Sequence, residues 1–267
     1  MGNTLADLTY RFLFPDATQA DPEGTGLVAI GGDLDVDTLR CAYQQGLFPW
    51  FNTGEPIMWW SPEPRCVIYP ETFKPSKSLT RRIKRSDWWL TINTAFGAVI
   101  HACSEARAYS DGTWIHASMI DAYQNLHAHG DAYSIEIWQH KPDLSTDHLT
   151  DQNLIGGLYG LKFGQAFFGE SMFHRATDAS KAAFFVLMRL AKLSGFAWVD
   201  CQLPNAHLLS LGASILPRDE FLPKLAKQVT QPNINWSAIS GKPYRLADLL
   251  DDDIWQYRNH AIIDIQS

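Results

Sequence analysis

The sequence predicts an α+β fold behind a smaller N-terminal domain. Two observations carry this. The runs Tyr133–Trp138, Leu154–Leu161 and Gln165–Phe173 read as strands, and an amphipathic segment closed by Gly195 follows them before another apolar run at Ala197–Leu203. Strands, then a helix, then a strand is the order of an α+β domain. A chain of 267 residues, 46% of them hydrophobic, can bury its own core and divides into one or two domains. We place a boundary near residues 62–70, giving a small domain over 1–64 and a larger one over 65–267.

The elements follow in order. Asp35 or Asp37 can cap a short helix in which Leu39, Ala42 and Tyr43 share a face and Gly46 is the stop. From Leu47 to Pro64, Phe48, Trp50, Phe51, Trp59 and Trp60 are interrupted by Pro49, Pro56, Pro62 and Pro64, which predicts irregular chain. Ile115–His129 has helical spacing, and Tyr133, Ile135 and Ile137 alternate onto one strand face. His140–Gln152, polar and rich in aspartate, reads as an exposed hairpin loop. Leu154–Leu161 and Gln165–Phe173 pair around a Lys162–Gln165 turn, and their glycines permit close backbone approach. Thr177 or Asp178 caps the next helix, whose apolar face carries Phe184, Leu187, Met188 and Ala191. The tail from Thr230, with Asp251, Asp252 and Asp253 in a run, reads as short helical pieces folded back.

Composition excludes several classes. No window reaches the ~18 consecutive apolar residues of a membrane helix, and Met1–Leu27 lacks the basic start and apolar core of a signal peptide, so we expect a cytoplasmic protein. Cys41, Cys66, Cys103 and Cys201 lie far apart with no Cys-x-x-Cys pair, which predicts free buried thiols, no metal and no cofactor. A net charge of −7 allows nucleic acid only at a local patch. One exists. Between Glu71 and Asp87, Lys74, Lys77, Arg81, Arg82, Lys84 and Arg85 face only those two acids, and Lys77, Arg81, Lys84 and Arg85 share one helical face suited to a phosphate backbone or simply to solvent.

Nine stretches resemble the leucyl/phenylalanyl-tRNA-protein transferase family, in its order: Gly26-Leu-Val-Ala-Ile-Gly-Gly-Asp-Leu34, Phe48-Pro-Trp-Phe51, Trp59-Trp-Ser-Pro-Glu-Pro-Arg65, Gly112-Thr-Trp-Ile115, Gly156-Gly-Leu-Tyr-Gly160, Gly169-Glu-Ser-Met-Phe173, Ala179-Ser-Lys181, Asp200-Cys-Gln202 and Ser210-Leu-Gly-Ala213. One block would mean little; nine in order are specific. The sequence departs from the pattern in a longer 140–152 loop, in Leu158 where a methionine is familiar, and in the tail beyond Leu222. The resemblance implies a small N-terminal domain packed on a GCN5-like (GNAT-type) acyltransferase domain with a mixed sheet flanked by helices. It also implies transfer of Leu or Phe, with Met a further candidate, from aminoacyl-tRNA to the N-terminal α-amine of proteins starting with Arg or Lys, tagging them for degradation by the N-end rule pathway.

That reaction is aminolysis of an activated ester, so it needs positioning, a proton acceptor and oxyanion stabilisation rather than a covalent intermediate. Asp200 and Gln202, two apart on an expected strand, face the same way. The resemblance assigns them a relay in which Asp200 draws the amine proton through Gln202, whereas a buried Asp satisfied by backbone amides is the structural alternative. Glu170 matches an active-site residue of the family, or else forms an ion pair with Arg175 or Lys181. Leu158, Phe167, Met172 and Val199 match the apolar side-chain pocket or are plain core. Trp50 and Trp114 match the residues that hold the terminal adenosine, and Trp50 is otherwise a domain-interface plug. The family's tRNA contact falls on Lys77, Arg81, Lys84 and Arg85. Two rivals remain: an acetyl-CoA-dependent transferase, for which Arg175–Ser180 lacks the glycines of a pyrophosphate loop, and a noncatalytic RNA-binding module.

Overall fold

The computed structural model describes residues 14–21, 23–105, 114–145, 153–232, 236 and 239–251. In chain order it runs α1 (Ala17–Ala20), β1 (Leu27–Ile30), α2 (Val36–Gln44), β2 (Phe48–Pro49), β3 (Met58–Trp60), β4 (Arg65–Ile68), α3 (Lys77–Arg85), β5 (Trp89–Ile92), α4 (Phe96–Ser104), α5 (Ala117–Ala128), β6 (Ala132–Trp138), β7 (Leu154–Phe163), β8 (Ala166–His174), α6 (Ala179–Leu193), β9 (Val199–Asp200), α7 (Ala206–Ser210), β10 (Ser214–Leu216), α8 (Arg218–Val229) and β11 (Tyr244–Arg245), then a 3-10 helix over Leu246–Leu250.

Two sheets result. A three-stranded sheet has the order β1-β3-β2, and an eight-stranded one the order β10-β4-β9-β8-β7-β6-β5-β11. All pairings in the large sheet are antiparallel except β8 with β9, which makes it the expected mixed sheet. One face carries Leu39 and Tyr43 of α2, Phe96 of α4, Tyr123 of α5 and Phe221 of α8; the other carries Leu79 and Ile83 of α3 and the apolar side of α6. In α3 those two side chains are its buried ones, worth roughly 1.5–3 kcal/mol each on burial. They leave the cations on the outer side.

The aromatic stretch after Leu47 is more regular than its prolines suggest. Phe48–Pro49 and Met58–Trp60 pair antiparallel, because Pro49 ends a two-residue edge strand while Trp59 is fully buried at the sheet's centre. The strand expected over Ala197–Leu203 shrinks to Val199–Asp200, since Gln202 turns to φ +56. The tail differs too: β11 joins β5, Trp236 stacks on Phe167 and Phe196, and Leu246–Leu250 is a 3-10 helix. Asp252 and Asp253, residues 146–152 of the expected hairpin loop, and Gly112 and Thr113 of the Gly112–Ile115 stretch lie outside the described residues. All four cysteines are buried and none is in a disulfide. Among the described residues no helix is long and apolar enough to cross a membrane.

Gly156 shows how closely α6 is laid on the sheet. A Cβ there would sit 2.6 Å from the Ala179 Cβ and 2.9 Å from its carbonyl carbon, so the helix would have to lift. Gly156→Ala should cost about 1–3 kcal/mol, read as a lower urea midpoint at unchanged slope.

Candidate active site

The large sheet splits where β8 meets β9. Their parallel register holds only at Phe167–Val199 and Phe168–Asp200. Beyond it the β9 chain stays with β4, through the Cys201 N–H to the Cys66 carbonyl and the Cys66 N–H to the Gln202 carbonyl. β8 instead continues along β7 to His174. The gap opens into a cavity of about 770 Å³, walled by Gly169, Glu170, Ser171 and Met172 on one side and Val199, Cys201, Gln202 and Leu203 on the other.

Glu170 reaches this cavity because of a β-bulge. Tyr159 pairs with Ser171 and Gly160 with Gly169, so Glu170 is the extra residue. One inserted residue swaps the faces of everything after it. Phe167 and Met172 therefore share one side of the sheet and Phe168 and Phe173 the other. The carboxylate accepts from the Gln202 Nε2 at 2.9 Å and the Tyr123 hydroxyl at 2.9 Å, and Tyr43 bonds Tyr123 and lies within hydrogen-bonding reach of Glu170. Removal from water pushes the Glu170 carboxyl up to about 7, against the pull of the Tyr123 and Tyr43 hydroxyls and of Arg65, with the Asp200 charge adding to the rise. Burial and the Glu170 charge hold the phenols of Tyr43, Tyr123 and Tyr159 well above their ordinary range, so they remain donors.

Asp200 has a different setting. It is fully buried and grips Arg65, also fully buried, through two bonds of 2.9 and 2.6 Å. The Arg65 guanidinium donates to the Gly46 carbonyl and lies over the Phe48 and Phe221 rings, tying β4 to the segment that carries Trp50. The Asp200 Oδ1 also accepts the Gln202 backbone N–H at 2.9 Å. The side-chain relay from Asp200 to Gln202 is thus not the arrangement found: the Gln202 amide side chain turns to Glu170, because its residue leaves strand geometry just after Asp200.

The cavity gathers Trp50, Trp114, Leu158, Glu170, Met172, Val199 and Gln202. Phe167 and Asp200 do not line it; Phe167 is core, stacked on Trp236. Trp50 is 42% exposed and packs against Trp60, so it is no interface plug. The ion pairs considered for Glu170 go elsewhere, Arg175 to Glu105 and Lys181 to Asp178. Asp178 heads α6 without a side-chain cap bond and also meets Arg82 at 3.9 Å, which sets α3 beside the cavity rim. On α3, Lys77, Arg81, Lys84 and Arg85 line a shallow groove of about 330 Å³ with Pro75 and Thr80. Sequence reasoning missed Tyr43, Tyr123, Tyr159 and Phe184 at or behind the cavity; helical and strand spacing marks them only as core.

The cavity sets the part-buried Glu170–Gln202 carboxyl–amide pair beside apolar side chains, and the relatives give the class, an aminoacyltransferase. The sequence model of the family described as leucyl/phenylalanyl-tRNA protein transferase matches residues 67–226, and that of its N-terminal domain residues 32–63. Proteins named leucyl/phenylalanyl-tRNA–protein transferase from Psychrobacter cryohalolentis and Psychrobacter arcticus are 51% and 49% identical, each alignment covering 92% of this chain and 90% of the relative. The chain belongs to the leucyl/phenylalanyl-tRNA protein transferase family. The solved structure of FemX overlaps 68% of this chain and 66% of its own at a TM-score of 0.42 and 11% identity.

Proposed function

We propose that this protein transfers leucine or phenylalanine from its tRNA ester to the N-terminal α-amine of proteins that begin with Arg or Lys, marking them for N-end rule degradation in the cytoplasm. The observation that carries the reading is the Glu170–Gln202 pair, a carboxyl held near 7 and bonded to an amide, bridging the two walls of a cavity also lined by Leu158, Met172, Phe184, Leu187 and Val199. Residues 1–64 act as a small domain supplying Trp50, and residues 65–267 as a catalytic domain of GCN5-like type, a reading supported by the split between β8 and β9.

Leu158, Met172 and Val199, joined by Phe184 and Leu187, receive the donor side chain. Such a pocket separates substrates by only ~1–3 kcal/mol per methylene, so Leu, Phe and Met are tolerated together. Trp50 and Trp114 hold the terminal adenosine. The acceptor arrives as an ammonium and must lose a proton to attack. Gln202 orients the amine through its carbonyl oxygen, and Glu170, ionised for half its population near neutrality, takes the proton. Nitrogen bonds to the ester carbon, the carbon–oxygen bond to the ribose breaks, and the ribose oxygen leaves with a proton. Asp200 acts at one remove by fixing the Gln202 backbone and Arg65.

Lys77, Arg81, Lys84 and Arg85 are exposed and have no ion pair among the described residues, which supports contact with tRNA phosphates. Arg81→Ala with Lys84→Ala should weaken tRNA binding and reduce the slope of log affinity against log salt by about 1.4–1.8, read by filter binding across a salt series. Activity is tested by following label from Leu-tRNA into an Arg-starting and an Ala-starting protein, with acetyl-CoA as a parallel donor. The reading requires transfer from Leu-tRNA to the Arg-starting protein alone. Acetyl transfer, or tRNA binding without transfer, rejects it.

A further inference from the structure

The cationic groove on α3 and the rim of the cavity are joined by three charged side chains. Arg82 follows Arg81 of the groove, and its guanidinium reaches across to the Asp178 carboxylate at 3.9 Å. Asp178 also holds the Lys181 ammonium at 3.1 Å, and Asp178 and Lys181 both line the cavity. Positive charge therefore runs from the groove through Arg82 to Lys181, with the Asp178 carboxylate seated between the last two cations. The Asp178 side chain is 19% exposed, against 51% for Arg82 and 41% for Lys181, so the acid is the sheltered member and the long cationic side chains can swing outward. Asp178 heads α6 without a side-chain cap bond. Its carboxylate serves the two cations and not the helix.

Resting on the function proposed above, we propose that Arg82 and Lys181 clamp a backbone phosphate in the unpaired 3′ end of the donor tRNA, and that Asp178 occupies the place of that phosphate until the tRNA displaces it. The route follows from the two faces of the large sheet. α3 lies with α6 on one face, whereas Trp114 packs with the core of the other, as does Trp60, which carries Trp50. A tRNA seated by its phosphates on α3 and by its terminal adenosine at Trp50 and Trp114 must pass its last nucleotides over the rim that holds Asp178 and Lys181. A phosphodiester suits these two cations: it carries one negative charge, and its oxygens accept from a guanidinium and an ammonium together. A carboxylate offers the same charge and the same kind of acceptor in a smaller group, so it can stand in. The consequence is a brake on affinity. An arriving tRNA has to break the ion pairs of Asp178, and the displaced acid then faces the phosphate as a like charge. A weaker grip shortens the stay of the spent tRNA.

Asp178→Asn isolates the charge, because Asp178 sits at φ +70 and asparagine tolerates that left-handed conformation as aspartate does. Filter binding across a salt series compares the unaltered enzyme with Asp178→Asn, Arg82→Gln and Lys181→Gln, using intact leucine tRNA and the same tRNA trimmed of its unpaired 3′ nucleotides. Asp178→Asn should bind the intact tRNA about two- to fivefold more tightly, a gain that fades as salt rises. Arg82→Gln and Lys181→Gln should weaken binding, each lowering the slope of log affinity against log salt by about 0.7. On the trimmed tRNA all three variants should match the unaltered enzyme. Unchanged or weaker binding of intact tRNA by Asp178→Asn overturns the displacement, since a carboxylate that merely orders the two cations would be missed when removed. Equal effects on intact and trimmed tRNA overturn the route. If the unaltered enzyme retains no tRNA even at low salt, the function proposed above fails and the clamp falls with it.

Discussion

Glu170→Gln should lower single-turnover transfer from Leu-tRNA by about 10²–10⁴-fold, the usual contribution of a positioned proton acceptor, with tRNA affinity unchanged. The substitution preserves shape but cannot take a proton, and its single oxygen cannot serve Gln202, Tyr123 and Tyr43 together. The pH profile separates this from a packing defect. Wild-type transfer should rise as pH climbs through about 7, where Glu170 ionises; the variant should lose that limb and keep only the titration of the acceptor amine near ~8. Stability gives a second readout with its own sign. The folded protein keeps the Glu170 proton from the ordinary carboxyl range up to about 7, while the unfolded chain has already released it, so this group's contribution to stability falls as pH rises through that window. Glu170→Gln removes the fall, and the variant should therefore gain on the wild type in melting temperature between about pH 5 and about pH 8.

Asp200→Ala should do something different, costing roughly 3–5 kcal/mol of stability because it strands the fully buried Arg65 guanidinium. For a chain of this size that is a melting temperature lower by about 10 °C. Activity should fall as well, since the backbone N–H of Gln202 loses its acceptor. Replacing both partners by apolar residues, Arg65→Met with Asp200→Leu, should restore much of the stability but not the placement of Gln202. Urea denaturation of the single and double variants checks this, and an Asp200→Ala protein as stable as wild type would contradict the clamp.

The same two carboxylates show how far the sequence reaches. Alternation in Tyr133–Trp138 and the glycine-marked pair around Lys162–Gln165 announced β6, β7 and β8, because strand periodicity is a local signal. The helix from Asp178 to Gly195 was equally legible. The partner of Gln202 was not. Two residues apart on a strand means one face, but the strand stops at Asp200, and only the pairing of β9 with β4 explains why the next residues turn away. A trace of the bulge does lie in the sequence: Phe167-Phe168 and Met172-Phe173 are offset by five, an odd step that strict alternation cannot reconcile with matching faces. Proline positions misled at Phe48–Pro49 because edge strands of two residues tolerate them. The tyrosines behind Glu170 come from α2, α5 and β7, and no spacing rule joins three elements so far apart in the chain.

The most direct test offers the enzyme one Arg-starting peptide with a free α-amine and the same peptide N-acetylated, each with labelled Leu-tRNA and, separately, labelled Val-tRNA. We predict label only in the free peptide, only from Leu-tRNA, and located at the new N-terminus by sequencing. Label in the acetylated peptide, or equal transfer of valine, would contradict a cavity built to join leucine or phenylalanine to an α-amine at Glu170 and Gln202.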